Sequence, residues 1–113
     1  MAYDEGLAER IRELLQDYSD LQEKKMFGGL CFMLADHMCC GIVGDTLMVR
    51  VGPERYEESL ENKYAREMDF TGKPMKGMVY VAAEGLQEDD ELTDWLHVSI
   101  EFVSSLPPAK LRR

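Results

Sequence analysis

The chain has 113 residues, 45% of them hydrophobic and 31% charged, which suits one folded core and is too apolar for wholesale disorder. Its net charge of -9 works against polyanion partners, because affinity for nucleic acid comes largely from Lys and Arg displacing counterions at phosphates. Charges or glycines break every apolar run well short of the ~20 residues that cross a bilayer, the first residues lack the pattern of a secretory leader, and three cysteines without Cys-x-x-Cys spacing suggest neither a disulfide framework nor a zinc ribbon.

From Asp4 to Tyr18 the residues Leu7, Ile11, Leu14, Leu15 and Tyr18 recur at helical spacing with charges between them, which predicts an amphipathic helix. Asp4 and Glu5 put negative charge at its start, and Ser19-Asp20 begins the exit. The apolar segment from Lys25 to Leu34 reads as one strand with a glycine irregularity at Gly28-Gly29. A two-residue turn at Ala35-Asp36, a strand over Met38 to Val43, a Gly44-Asp45 turn and a strand over Thr46 to Val51 complete a meander. In the last of these strands Leu47, Val49 and Val51 point one way and Thr46, Met48 and Arg50 the other.

Gly52-Pro53 is expected to open a short acidic helix, with Pro53 at its first helical position and Tyr56 and Leu60 inward. Arg66 to Phe70 alternates like a half-buried strand, Thr71 to Gly77 forms a loop, and Met78 to Val81 forms a fifth strand. Asp89 or Asp90 is expected to cap a final helix with Leu92, Trp95, Leu96, Ser99, Val103 and Leu106 on one side, stopped by Pro107-Pro108. The resulting fold is α+β, order α-β(3)-α-β(2)-α: a two-layer sandwich of a mostly antiparallel five-stranded sheet with its helices on one face. One domain spans residues 1–108, followed by a short basic tail at 109–113. The less covered sheet face, mixed and partly apolar, suggests a homodimer.

Chemistry-bearing residues are few. A two-residue turn at Ala35-Asp36 would set Cys31 across from Cys40, with Cys39 on the opposite face, so three thiolates do not converge on a metal. Buried structural thiols are the reading for all three, with a redox pair of Cys31 and Cys40 as the alternative. His97 falls on the polar side of the last helix and His37 in a turn, and neither accompanies a nucleophile motif. Gly28-Gly29 lacks a phosphate-loop pattern and fits a β-bulge. The methionines of the sheet region are expected to fill core gaps, with an adaptable binding face as the alternative. Lys24, Lys25, Arg50, Arg66, Lys73 and Lys76 lie on strands and loops, so one face could be locally basic, with Lys25, Arg50 and Arg66 as candidate anion contacts. Against that, Glu84 to Asp94 holds six acids and no base, and solvated strand edges protected by lysine are the favoured reading of those basic residues.

Met26 to Met33, Met38 to Val43 with Leu47 to Val51, Met68 to Gly77 and the closing Leu106-Pro107-Pro108 together resemble the N-terminal domain of the TfoX/Sxy family. The resemblance runs from about residue 8 to residue 108. It implies a fold similar to the secretion-chaperone-like α-β(3)-α-β(2)-α arrangement. Full-length members regulate natural competence together with the cyclic-AMP receptor protein and carry a C-terminal domain, for which this chain leaves no room after Pro108. The resemblance transfers no catalytic residue. Of its motif, Met26, Phe27, Gly28, Gly29, Phe70, Gly72 and Gly77 suit packing and special backbone shapes, and Lys73, Pro74, Met75 and Lys76 form the candidate contact loop.

The expectation is a cytoplasmic, non-enzymatic regulatory module that acts through protein–protein contacts, its partners including transcription machinery, without cofactor, metal or membrane. The alternatives are a nucleic-acid-associated transcription factor and a small-molecule or thiol-redox binding protein.

Overall fold

A computed structural model of the protein describes residues 3–26, 28–68 and 77–106. Helix α1 (Glu5–Leu14) is followed by strands β1 (Leu21–Met26), β2 (Gly29–Leu34), β3 (His37–Val43) and β4 (Thr46–Arg50), then helix α2 (Tyr56–Leu60), β5 (Ala65–Glu67), β6 (Met78–Val81), a 3₁₀ turn (Ala83–Leu86) and helix α3 (Asp89–Ser104). The strands form one open antiparallel sheet in the order β1-β2-β3-β4-β6-β5. This is the expected α+β architecture with a sixth strand.

The extra strand comes from splitting the segment read as one. Gly28, at φ 77, closes a tight turn between β1 and β2, with Met26 paired to Gly29. Positive φ suits glycine because a side chain would clash there. A side chain on Gly29, in turn, would collide with the carbonyl oxygen of Ile42, so this position serves close approach of two strands rather than a bulge. Phe27, Phe70, Gly72, the loop Lys73-Pro74-Met75-Lys76 and Pro107-Pro108 lie outside the described residues.

α1 starts where Asp4 Oδ1 accepts hydrogen bonds from the Gly6 and Leu7 amides at 2.8 and 3.2 Å. α3 starts at Glu88 rather than at Asp89 or Asp90. Glu88 caps the helix while the Glu91 carboxylate accepts from the Glu88 amide at 3.2 Å, a reciprocal box that satisfies two otherwise orphaned N–H groups. Pro53 lies in a turn ahead of α2, which begins three residues later at Tyr56.

The pleat separates two apolar layers. Phe32, Ile42, Leu47, Val49, Val79 and Val81 face Leu7, Ala8 and Ile11 of α1 and Leu92, Leu96 and Val103 of α3 in one continuous core. Cys31, Met48, Met68 and Met78 are buried in a second cluster, against half-buried Met26, Met33 and Met38. Methionine therefore fills the second layer, as expected of a flexible side chain in irregular gaps. The periodicity of the first helix overreaches at its end: α1 stops at Leu14, and Leu14 and Tyr18 are 37% and 38% exposed.

Candidate functional site

The central strands carry the cysteines, and a register shift decides where they point. Cys31 pairs with Gly41 and Cys40 with Phe32, while Met33 pairs with Met38, so β3 spends one residue more than β2 across the Phe32/Met33 step. Cys39 is that extra residue. A bulge of this kind turns two consecutive side chains to one side, and Cys39 and Cys40 both join the helix-facing core while Cys31 joins the methionine layer. The expected Cys31–Cys40 pair is therefore absent, and Cys39 does not point away from Cys40.

All three thiols are free and fully buried. Ser99, the buried polar residue of α3, donates its hydroxyl to the Cys39 carbonyl and lies 3.1 Å from the Cys39 sulfur. The hydrogen bond with Cys40, then those of Ser99 and the charge of Arg50, hold the Cys39 thiol below the ordinary range. Its hydrogen bond to Cys39 and its burial push Cys40 up, and burial pushes Cys31 up. The bulge thus pins α3 onto β3. Among the described residues no three His, Cys, Asp or Glu side chains gather as a metal site requires.

The candidate anion contacts do not converge. Lys25 stands on β1 at one sheet edge and Arg66 on β5 at the other, five strand spacings or roughly 24 Å apart. Arg50, on β4, lies over the Phe102 ring at 5.4 Å and reaches the Met38 carbonyl at 3.4 Å, whereas Arg66 lies over the Tyr80 ring at 4.7 Å. Two of the three cations are thus stacked on aromatic faces of the domain itself. His97 is exposed on α3, and His37 begins β3. Of the remaining motif residues, Met26 ends β1 half-buried, and the Gly77 carbonyl accepts the Val51 and Gly52 amides at 2.8 and 3.1 Å.

A concave site forms where α2, the turn after it and the first half of α3 meet. It is a cleft of about 480 Å³ with Tyr64, Trp95 and Val98 among its lining residues, and with Glu58, Glu91 and Asp94 around it. Its two cations are already engaged: Arg55 bonds Glu101 at 2.8 Å, and Lys63 sits 5.1 Å from the Tyr64 ring centre. The cleft is thus aromatic and aliphatic inside and acidic in balance. Sequence reading missed it because its walls come from three separate segments.

A model of the TfoX N-terminal domain family matches residues 13–103 of the chain. The chain belongs to this family. The match covers β1 to β6 together with nearly all of α3, so in this TfoX N-terminal domain both the bulge at Cys39 and the α2–α3 cleft fall inside the family's span. No curated protein matches the chain. No helix among the described residues is long and apolar enough to cross a membrane.

Proposed function

We propose that this TfoX N-terminal domain is a non-enzymatic regulatory module that works through protein–protein contacts, with the cleft between α2 and α3 as its docking site. Family membership supports the regulatory part of this reading. The observation that carries the docking part is the combination of an aromatic floor at Tyr64 and Trp95 with the carboxylates of Glu58, Glu91 and Asp94. Aromatic anchors inside a charged border are the usual anatomy of a protein-binding hot spot. The occupant is a protein segment that presents an apolar side chain flanked by Lys or Arg, since opposite charge steers encounter and fixes register.

The test is a quantitative pull-down from a lysate of the source organism after nuclease treatment, comparing the natural protein with Glu91→Arg plus Asp94→Arg. Both residues are exposed, and since Glu91 also caps α3 the thermal midpoint of the variant is measured to check that it remains folded. The expected result is loss of a protein whose basic-apolar segment competes for binding as a synthetic peptide. An unchanged set of bound proteins would overturn the cleft as the docking site. Binding that disappears with nuclease in the natural protein would instead favour a nucleic-acid bridge. Lys73, Pro74, Met75 and Lys76 are proposed as a second contact, and Lys73→Glu plus Lys76→Glu leaving all partners in place would remove them.

A further inference from the structure

The strand that sequence reading missed has an unusual environment. β1 ends the sheet, and its four middle residues Gln22, Glu23, Lys24 and Lys25 are all exposed, so solvent reaches both of its faces. It is held by its ladder to β2 and by the contact of Arg12 with Glu23 at 2.6 and 2.9 Å. It is six residues long and contains no proline or bulge. Its two lysines discourage pairing with an arbitrary strand, yet an edge of that length presents a row of N–H and C=O groups to a strand that answers those charges.

We propose that β1 pairs with β1 of a second copy of this chain, forming a homodimer with one continuous antiparallel sheet. Charge complementarity selects the occupant. Two antiparallel strands related by a two-fold axis must match residues of the same pleat face, so the axis passes through a residue and not between two. Of the registers centred within β1, only the one centred on Lys24 sets opposite charges of the strand together. It places Glu23 against Lys25 of the second copy, and does so twice by symmetry. Centring on any of these charged residues sets it against its own copy, and only centring on Lys24 offsets that repulsion, with two Glu–Lys pairs.

A second observation falls at the same edge. Leu14 and Tyr18 are the large apolar side chains left exposed among the described residues. Tyr18 accepts the Leu21 amide at 3.2 Å and so leads directly into β1, on the side where α1 meets the strand through Arg12 and Glu23. An exposed aromatic residue such as Tyr18, next in the chain to an open edge, is what a dimer seam would cover.

The chosen register also sets Lys24 against its own copy on the axis, which supplies a test that mere edge protection would not pass. Sedimentation equilibrium of the full chain from about 1 to about 100 μM gives the dissociation constant of each variant. Lys25→Glu converts both attractive pairs into repulsive ones and should weaken dimerisation about tenfold. Lys24→Thr removes the like-charge contact and should tighten it severalfold. Tyr18→Glu should weaken it. These side chains are exposed, and unchanged thermal midpoints of diluted samples would confirm intact folds. A monomer throughout the range, or a dimer indifferent to both lysine changes, would overturn the proposal, as would capture of a foreign strand by β1 in place of self-pairing. The cleft variant with Glu91→Arg and Asp94→Arg should leave the dimer untouched, so this inference and the docking reading fail separately.

Discussion

Strands β1 and β4 belong to the same sheet, have similar lengths and obey the same pairing geometry, yet they owe their order to different forces. In β4 the residues Leu47, Met48 and Val49 are fully buried between two apolar layers, so burial adds to its ladders with β3 and β6. In β1 nothing between Leu21 and Met26 is fully buried, and the strand is held by main-chain pairing and an ion pair. The centre of this sheet is therefore a packing problem and its edge a hydrogen-bonding one. Substitutions should separate the two regimes.

The largest effect is expected in the helix-facing core. Phe32→Ala should destabilise the fold by about 3–5 kcal/mol in denaturant titration, because Phe32 is among the largest fully buried side chains, whereas Gln22→Ala on β1 should stay within about 0.5 kcal/mol. Equal losses at the two positions would erase the distinction. Next comes Gly29→Ala, which drives a methyl group into the Ile42 carbonyl and should cost about 1–3 kcal/mol in the same titration, far more than an alanine placed elsewhere on a hairpin.

Ser99→Ala should cost about 1–3 kcal/mol by removing the buried hydroxyl that α3 offers to Cys39, and thermal unfolding will show whether the bulge contact matters to helix docking. The smallest effect belongs to the edge. Arg12→Met should change stability by less than about 1 kcal/mol near neutral pH. Its signature is pH dependence: the Arg12 guanidinium holds the Glu23 carboxyl below its ordinary value of 4.5. A carboxyl depressed by folding stabilises the protein above that value and loses the contribution as pH falls through its folded value, so Arg12→Met should flatten the slope of stability below about pH 4.5.

How much of this was legible in the sequence follows the same division. The two-residue alternation of β4 and the heptad-like spacing of α3 report burial directly, and Leu92, Trp95, Leu96, Ser99 and Val103 lie where the periodicity places them. β1 carries no such mark, since a strand solvated on both faces has no reason to alternate. Its available cue was the turn chemistry at Gly28, matching Gly44 at φ 61 in the next but one hairpin. The bulge at Cys39 was hidden because a one-residue insertion in a ladder depends on the partner strand, not on local composition. Likewise the cleft joins Tyr64 to Trp95 across residues far apart in the chain. The candidate anion contacts show the converse: Lys25, Arg50 and Arg66 look alike in sequence but lie on three different strands of the sheet.

The central claim, that the α2–α3 cleft receives a protein partner, is most directly tested by amine-reactive cross-linking and mass spectrometry of complexes captured after nuclease treatment. Lys63 is the lysine lining the cleft, whereas Lys24 and Lys25 mark the β1 edge. Links to foreign proteins from Lys63, lost in the variant carrying Glu91→Arg and Asp94→Arg, are the predicted result. Links to foreign proteins that avoid Lys63 and persist in that variant would contradict the account.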